Sequence, residues 1–152
     1  MTTSVYECNE KADLAIAAMV TCVVGTGLPT RMNWALTAQA MGAGAAAIGK
    51  CYGIELTTDE GGELIRHITL GTGVYFLAMN VGSNIIAALI DPTGFGKNPH
   101  ITVDAVTAVA FAWAIGAASK EYFQREYLGE SRLSNKELGM IFRETYKNHK
   151  NK

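Results

Sequence analysis

The chain has 152 residues, of which 49% are hydrophobic and only 18% charged, with 16 glycines, 3 prolines and a net charge of −1. Hydrophobic content this high excludes intrinsic disorder for most of the chain, and glycine without a period excludes collagen. The near-zero net charge supplies no global basic field, so no nucleic-acid partner is expected.

The pattern reads as helix throughout. Alanine-rich stretches favour helix, and no period-two alternation bounded by turns appears. A first helix is predicted over Ser4–Val24, ended by Gly25, Gly27 and Pro29 in GTGLPT. A second runs from about Met32 to Cys51 and stops at Tyr52-Gly53, glycine being a natural helix stop. Thr57 and Glu60 stand at capping-box spacing and start a third helix. That helix is amphipathic to His67 and then uniformly apolar as far as Ile90, with Gly71 and Gly73 placed to bend or break it. Asp91–His100, DPTGFGKNPH, is the clearest loop. Thr102 is the expected cap of a fourth helix that passes through Trp113 to about Leu128 and ends at Gly129. Ser134 and Glu137 form a second capping box ahead of a short fifth helix with Leu138, Ile141, Phe142 and Thr145 on one side. The expected architecture is an all-α bundle of four to five helices, arranged as two hairpins plus a short C-terminal amphipathic helix. It forms one helical domain with an apolar body over about 4–119 and a polar, basic tail over about 120–152.

The charges are sorted along the chain. Between Leu14 and Ile54 only Arg31 and Lys50 are charged, whereas Lys120–Lys152 holds 8 of the 13 basic residues and 5 acids. The stretch Ile68–Ile90 has 23 residues without a charge, which is long enough to span a bilayer. Small residues recur every fourth position at Ala38, Gly42 and Ala46 and again at Ala108, Ala112 and Gly116. That spacing lets helix backbones approach closely, in lipid or within a protein, and marks these six as packing or oligomer contacts. If both hairpins span, the chain start, the Lys50–Arg66 linker and the basic tail share one side, a positive-inside arrangement with the tail in the cytoplasm. Asn80 and Asn84 fall mid-span, where polar groups need partners. Two readings therefore stand: membrane association through the hairpins, or a cytoplasmic bundle with a buried core.

The three cysteines, Cys8, Cys22 and Cys51, show no metal-type spacing, and Cys22 sits in an apolar run. Buried thiols in a reducing compartment are expected. The acidic N-terminus lacks the basic start of a secretory signal.

Gly44–Cys51, GAAAIGKC, nearly matches a phosphate-binding loop. It lacks the preceding strand, and a thiol replaces the Mg²⁺-binding hydroxyl, so a close helix contact is expected instead. Asp59, Glu63 and His67 fall on one helical face at spacings that can hold a metal. No matching carboxylates or histidines stand on the other helices, so a solvated face is expected and no cofactor. No nucleophile elbow or Cys/His/Asn signature appears, and no enzyme activity is expected. In the tail, Tyr122, Phe123, Tyr127, Phe142 and Tyr146 are interleaved with Lys and Arg. Tyr122, Arg125, Phe142, Arg143 and Lys147 are the candidate surface for a partner or a lipid headgroup. Docking of the tail on its own bundle through Leu138 and Phe142 is the favoured arrangement, with the charges tuning orientation.

ALTAQAMGAGAAAIGKCYGIELT followed by an acidic helix, and the ending AVAFAWAIGAASKEYFQREYLGESRLSNKELGMIFRETYK, together resemble the bacterial GTPase-associated YcjF-like family over about residues 10 to 148. The resemblance implies an all-α, non-catalytic module, often membrane-linked. It supplies no catalytic residue. Any link to a GTPase is expected to act in trans, and a homo-oligomer or a protein partner is the expected form of association.

Overall fold

The computed structural model describes residues 4–25, 31–73 and 102–150. Among the described residues, five helices pack as an all-α bundle: α1 (Val5–Gly25), α2 (Trp34–Cys51), α3 (Thr58–Thr72), α4 (Ala105–Tyr127) and α5 (Asn135–Lys150). Two short strands, β1 (Arg31–Asn33) and β2 (Thr102–Asp104), pair antiparallel with Arg31 opposite Asp104 and Asn33 opposite Thr102. This ribbon departs from the strand-free expectation. Three residues per strand are too few to show alternation, and the partners lie far apart in sequence.

Local chemistry sets most of the boundaries. The Thr57 hydroxyl accepts from the Glu60 amide, and the Glu60 carboxylate accepts from the Thr57 amide, each at 3.1 Å. Ser134 and Glu137 repeat the reciprocal pair at the start of α5. Both boxes satisfy amides that a helix start otherwise leaves open. The cap of α4 is Asp104 rather than Thr102: its carboxylate accepts the Thr107 amide at 2.8 Å and the Thr107 hydroxyl at 2.9 Å. Thr102 instead belongs to β2.

The third helix ends at Thr72, at the glycines placed to break it. Gly73 takes φ 102°, a conformation that side-chain-bearing residues rarely adopt. The Arg143 guanidinium of α5 donates to the Thr72 carbonyl at 2.9 Å, satisfying one of the acceptors a helix end exposes. The expected continuation through Asn80, Asn84 and Ile90, the Asp91–His100 loop and most of the GTGLPT turn lie outside the described residues. Among the described residues, no helix is long and apolar enough to cross a membrane.

The core runs through all five helices. Ile16, Met19 and Val23 of α1, Met41 and Ile48 of α2, Ile65 and Ile68 of α3, Phe111 and Ile115 of α4, and Leu138 and Phe142 of α5 are buried together. Phe111 and Phe142 meet edge to face at 5.0 Å, joining α4 to α5. The basic tail is thus a full helix of the bundle, longer than the short segment expected.

Two crossings depend on glycine. At the α2–α3 crossing, a Cβ on Gly61 would run into the Gly42 carbonyl, and one on Gly42 would stand 2.9 Å from the Thr58 carbonyl oxygen. At the α3–α5 crossing, a Cβ on Gly71 would meet the Asn135 carbonyl, and one on Gly139 the Gly71 carbonyl. Hydrogen as the only side chain lets these backbones touch.

Candidate functional site

The small-residue rows are filled from within the chain. Ala38, Ala108, Ala112 and Gly116 are buried, and Ala46 is half-buried beside Gly61. Gly42 receives α3, and Gly116 receives Ile16 of α1, whose nearest methyl would be 2.7 Å from an added Cβ. These rows join helices of one protomer, and their faces are already covered.

The phosphate-loop lookalike lies inside α2. Gly44 packs on Met19, and a Cβ on Gly49 would sit 3.0 Å from the Phe123 ring. Its residues form a helix contact, as expected, and present no loop of open amides.

The candidate surface residues of the tail separate into inside and outside. Phe142 is 0% exposed and stacks on Tyr146 at 6.0 Å, so it belongs to the core and is no part of an outer surface. Arg143 is half-buried and spans to α3. Tyr122 and Arg125 are half-buried on α4, and Lys147 is exposed on α5. Lys150, expected only as one of the surface charges of the tail, donates to the Thr107 hydroxyl at 2.7 Å and to the Tyr146 hydroxyl at 3.1 Å. Its charge helps hold the Asp104 carboxyl below the usual carboxylate range. Burial pushes that carboxyl up, and the Thr107 hydrogen bonds with Lys150 more than reverse it.

A concave feature lies between α3 and α4, with Ile54 and Leu56 of the α2–α3 connection in its lining. It is a groove of about 470 Å³. Ile54, Leu56, Leu64 and Phe123 supply the apolar lining, while Asp59, Glu60, Glu63 and Glu126 supply carboxylates beside His67 and Tyr122. Asp59, Glu63 and His67 share a helical face, as their spacing requires, and all three are exposed. Among the described residues, no group of three or more His, Cys, Asp or Glu side chains could hold a metal ion. Glu60 is tied to the Thr57 amide, and Glu126 accepts from Arg132 at 3.1 Å. The amide leaves the Glu60 charge in place, so Asp59, Glu60 and Glu63, all exposed, carry the negative field of this rim, while Glu126 is paired with Arg132. The helix face was legible from spacing; its pairing with Tyr122, Phe123 and Glu126 depends on how α3 and α4 pack.

Two further concavities flank α1. One, of about 560 Å³, is lined by Asp13, Trp113, Lys120 and His149, with Lys120 bridging Asp13 at 2.8 Å and Trp113 stacked on His149 at 5.0 Å. The other, of about 490 Å³, is lined by Cys8, Lys11, Lys50, Cys51, Tyr52 and Tyr127 among others. Of the three thiols, only Cys8 is buried; Cys51 is half-buried, and Cys22 is exposed rather than enclosed by its apolar neighbours.

No known protein family, curated protein or solved structure matches this chain.

Proposed function

We propose that the protein is a non-catalytic helical docking module whose α3–α4 groove takes a basic, amphipathic segment of a partner protein. The observation that carries this reading is one groove combining an apolar lining with four carboxylates. An amphipathic helix lays its apolar face into such a groove, and lysines or arginines along its edges meet the acidic rim. The family resemblance suggests a GTPase acting in trans as the protein that carries the segment. The test is titration of a fluorescent leucine–lysine model helix into the full chain. Each exposed charge pair contributes on the order of 0.5 kcal/mol. Asp59→Asn with Glu63→Gln is therefore expected to weaken binding roughly three- to tenfold at low salt, and added salt to erase the difference. Equal affinity for the double variant and the parent would overturn the reading.

A second reading, membrane association with the basic tail on the cytoplasmic side, is favoured by a separate observation. Leu14 is 72% exposed, Val24 52% and Leu36 50%, all in the stretch of the α1–α2 hairpin from Leu14 to Gly49, whose one charged residue is Arg31. Such side chains can enter the headgroup region without any helix crossing the bilayer. Flotation with anionic liposomes separates the two readings. Flotation lost in Leu14→Ser/Val24→Ser supports the membrane, and failure to float at all removes it.

A further inference from the structure

The pocket between the start of α1 and the end of α2 concentrates chemistry that the groove does not use. Two of its lining residues are thiols, and its two charged lining residues, Lys11 and Lys50, are both cationic and exposed. The helices are antiparallel across it. Gly44 packs on Met19 farther along the pair, and near its end the Tyr52 hydroxyl donates to Asn9 Oδ1. Cys8 and Cys51 are therefore brought to the same level of the hairpin. They lie close enough that the charge on Cys8 raises the Cys51 thiol, although burial is the larger cause and Lys11 opposes both. Cys51 is half-buried in the pocket lining and its thiol donates to the Ala47 carbonyl at 3.3 Å, while Cys8 in the same lining is 1% exposed.

We propose that this pocket is a thiol–disulfide exchange site for anionic low-molecular-weight disulfides, in which Cys51 attacks first, Cys8 resolves, and the resulting disulfide staples α1 to α2. Exposure sets the order, because the first sulfur to react must be reachable from solvent. The Cys51 thiol loses its proton to water, and its thiolate attacks one sulfur of the small disulfide. A bond forms from Cys51 Sγ to that sulfur, the bond within the small disulfide breaks, and the departing thiolate takes up a proton. Cys8 then loses its proton, its thiolate attacks Cys51 Sγ, and the second small thiol leaves. The two cysteines are oxidised by two electrons, and the small disulfide is reduced to two thiols. Lys11 and Lys50 attract the carboxylates of such a reagent. A glutathione-type disulfide, with several carboxylates, fits that chemistry better than a neutral one.

The experiment incubates the reduced full chain with glutathione disulfide and, separately, with the neutral hydroxyethyl disulfide, followed by peptide mapping. The expected product is a Cys8–Cys51 bridge. Cys8→Ser and, as a check on folding, Cys8→Ala should each trap glutathione on Cys51, with helix content unchanged by circular dichroism. Lys11→Gln/Lys50→Gln, both on the surface, should slow the reaction with glutathione disulfide roughly three- to tenfold and leave the neutral reagent's rate unchanged. Exposed Cys22 serves as the internal reference. Glutathione accumulating on Cys22 while Cys8 and Cys51 stay reduced, or equal effects of the lysine changes on both reagents, would overturn the proposal.

Discussion

Arg143 shows how one side chain sets a boundary that its neighbours in sequence do not reveal. Its guanidinium reaches from α5 to the last carbonyl of α3. A charged hydrogen bond at a half-buried helix end is worth about 1–2 kcal/mol. Arg143→Met is expected to lower unfolding stability by that amount, measured by urea denaturation, while Arg143→Lys recovers part of it. Asp104 behaves in a related way. Its carboxyl titrates below its ordinary range in the folded chain, so ionisation favours the fold. That contribution is complete above the ordinary carboxylate range and disappears as the pH falls through the lower folded value. Asp104→Asn should therefore flatten the acid limb of the stability profile and leave its shape at neutral pH unchanged. A profile with the same acid limb in both proteins would refute this. Residues such as Thr57, Glu60, Ser134 and Glu137 were legible because a capping box is local, with both partners three positions apart. Arg143 was not, because its partner carbonyl lies 71 positions away.

At the scale of elements, helix identity followed from composition, while the crossings followed from glycines that composition does not single out. The small-residue row through Gly42 was visible as a spacing, but its counterparts Gly61 and Gly62 stand in a sequence that reads as an acidic helix start. Gly139 likewise lies inside an amphipathic pattern with nothing to mark it as a contact. Only packing shows that Gly71 and Gly139 bring two backbones together. Overpacking at such a site costs roughly 1–3 kcal/mol and more where backbone, not side chain, must yield. Gly139→Leu is expected to destabilise more than Gly116→Leu. The obstacle at Gly139 is the backbone of α3, whereas at Gly116 it is the Ile16 side chain, which can rotate away. Thermal midpoints of the two variants in the reverse order would show that α5 adjusts more easily than α1.

For the whole molecule, the apolar body and basic tail read from charge sorting turn out to be one core with a charged exterior. The tail closes the bundle through Leu138, Phe142 and Tyr146, all buried. Leu138→Ser/Phe142→Ser should unfold the protein or cost several kcal/mol, since each change removes a filled site and buries a hydroxyl. Lys147→Gln should be nearly silent, because the side chain is exposed. Lys150→Gln should cost more than Lys147→Gln through the Thr107 and Tyr146 contacts, a difference resolvable by denaturant titration. The groove belongs to this scale as well. Its acidic face was legible on α3, yet no local signal could place Tyr122 and Glu126 opposite it, because that requires the register of two helices joined only through the folded core.

The ribbon of β1 with β2 carries a kinetic consequence. Its partners are roughly 70 residues apart, and closing a flexible loop of that length costs about 4 kcal/mol in chain entropy. Three residue pairs cannot offset that by themselves. The strands therefore meet only after α1, α2 and α4 have already brought their ends together, and the ribbon records the completion of folding without helping to start it. A substitution that weakens the pairing should hasten unfolding and leave the folding rate untouched. The clasp would thus set how long the native state lasts once formed, and have little to do with how fast it is reached.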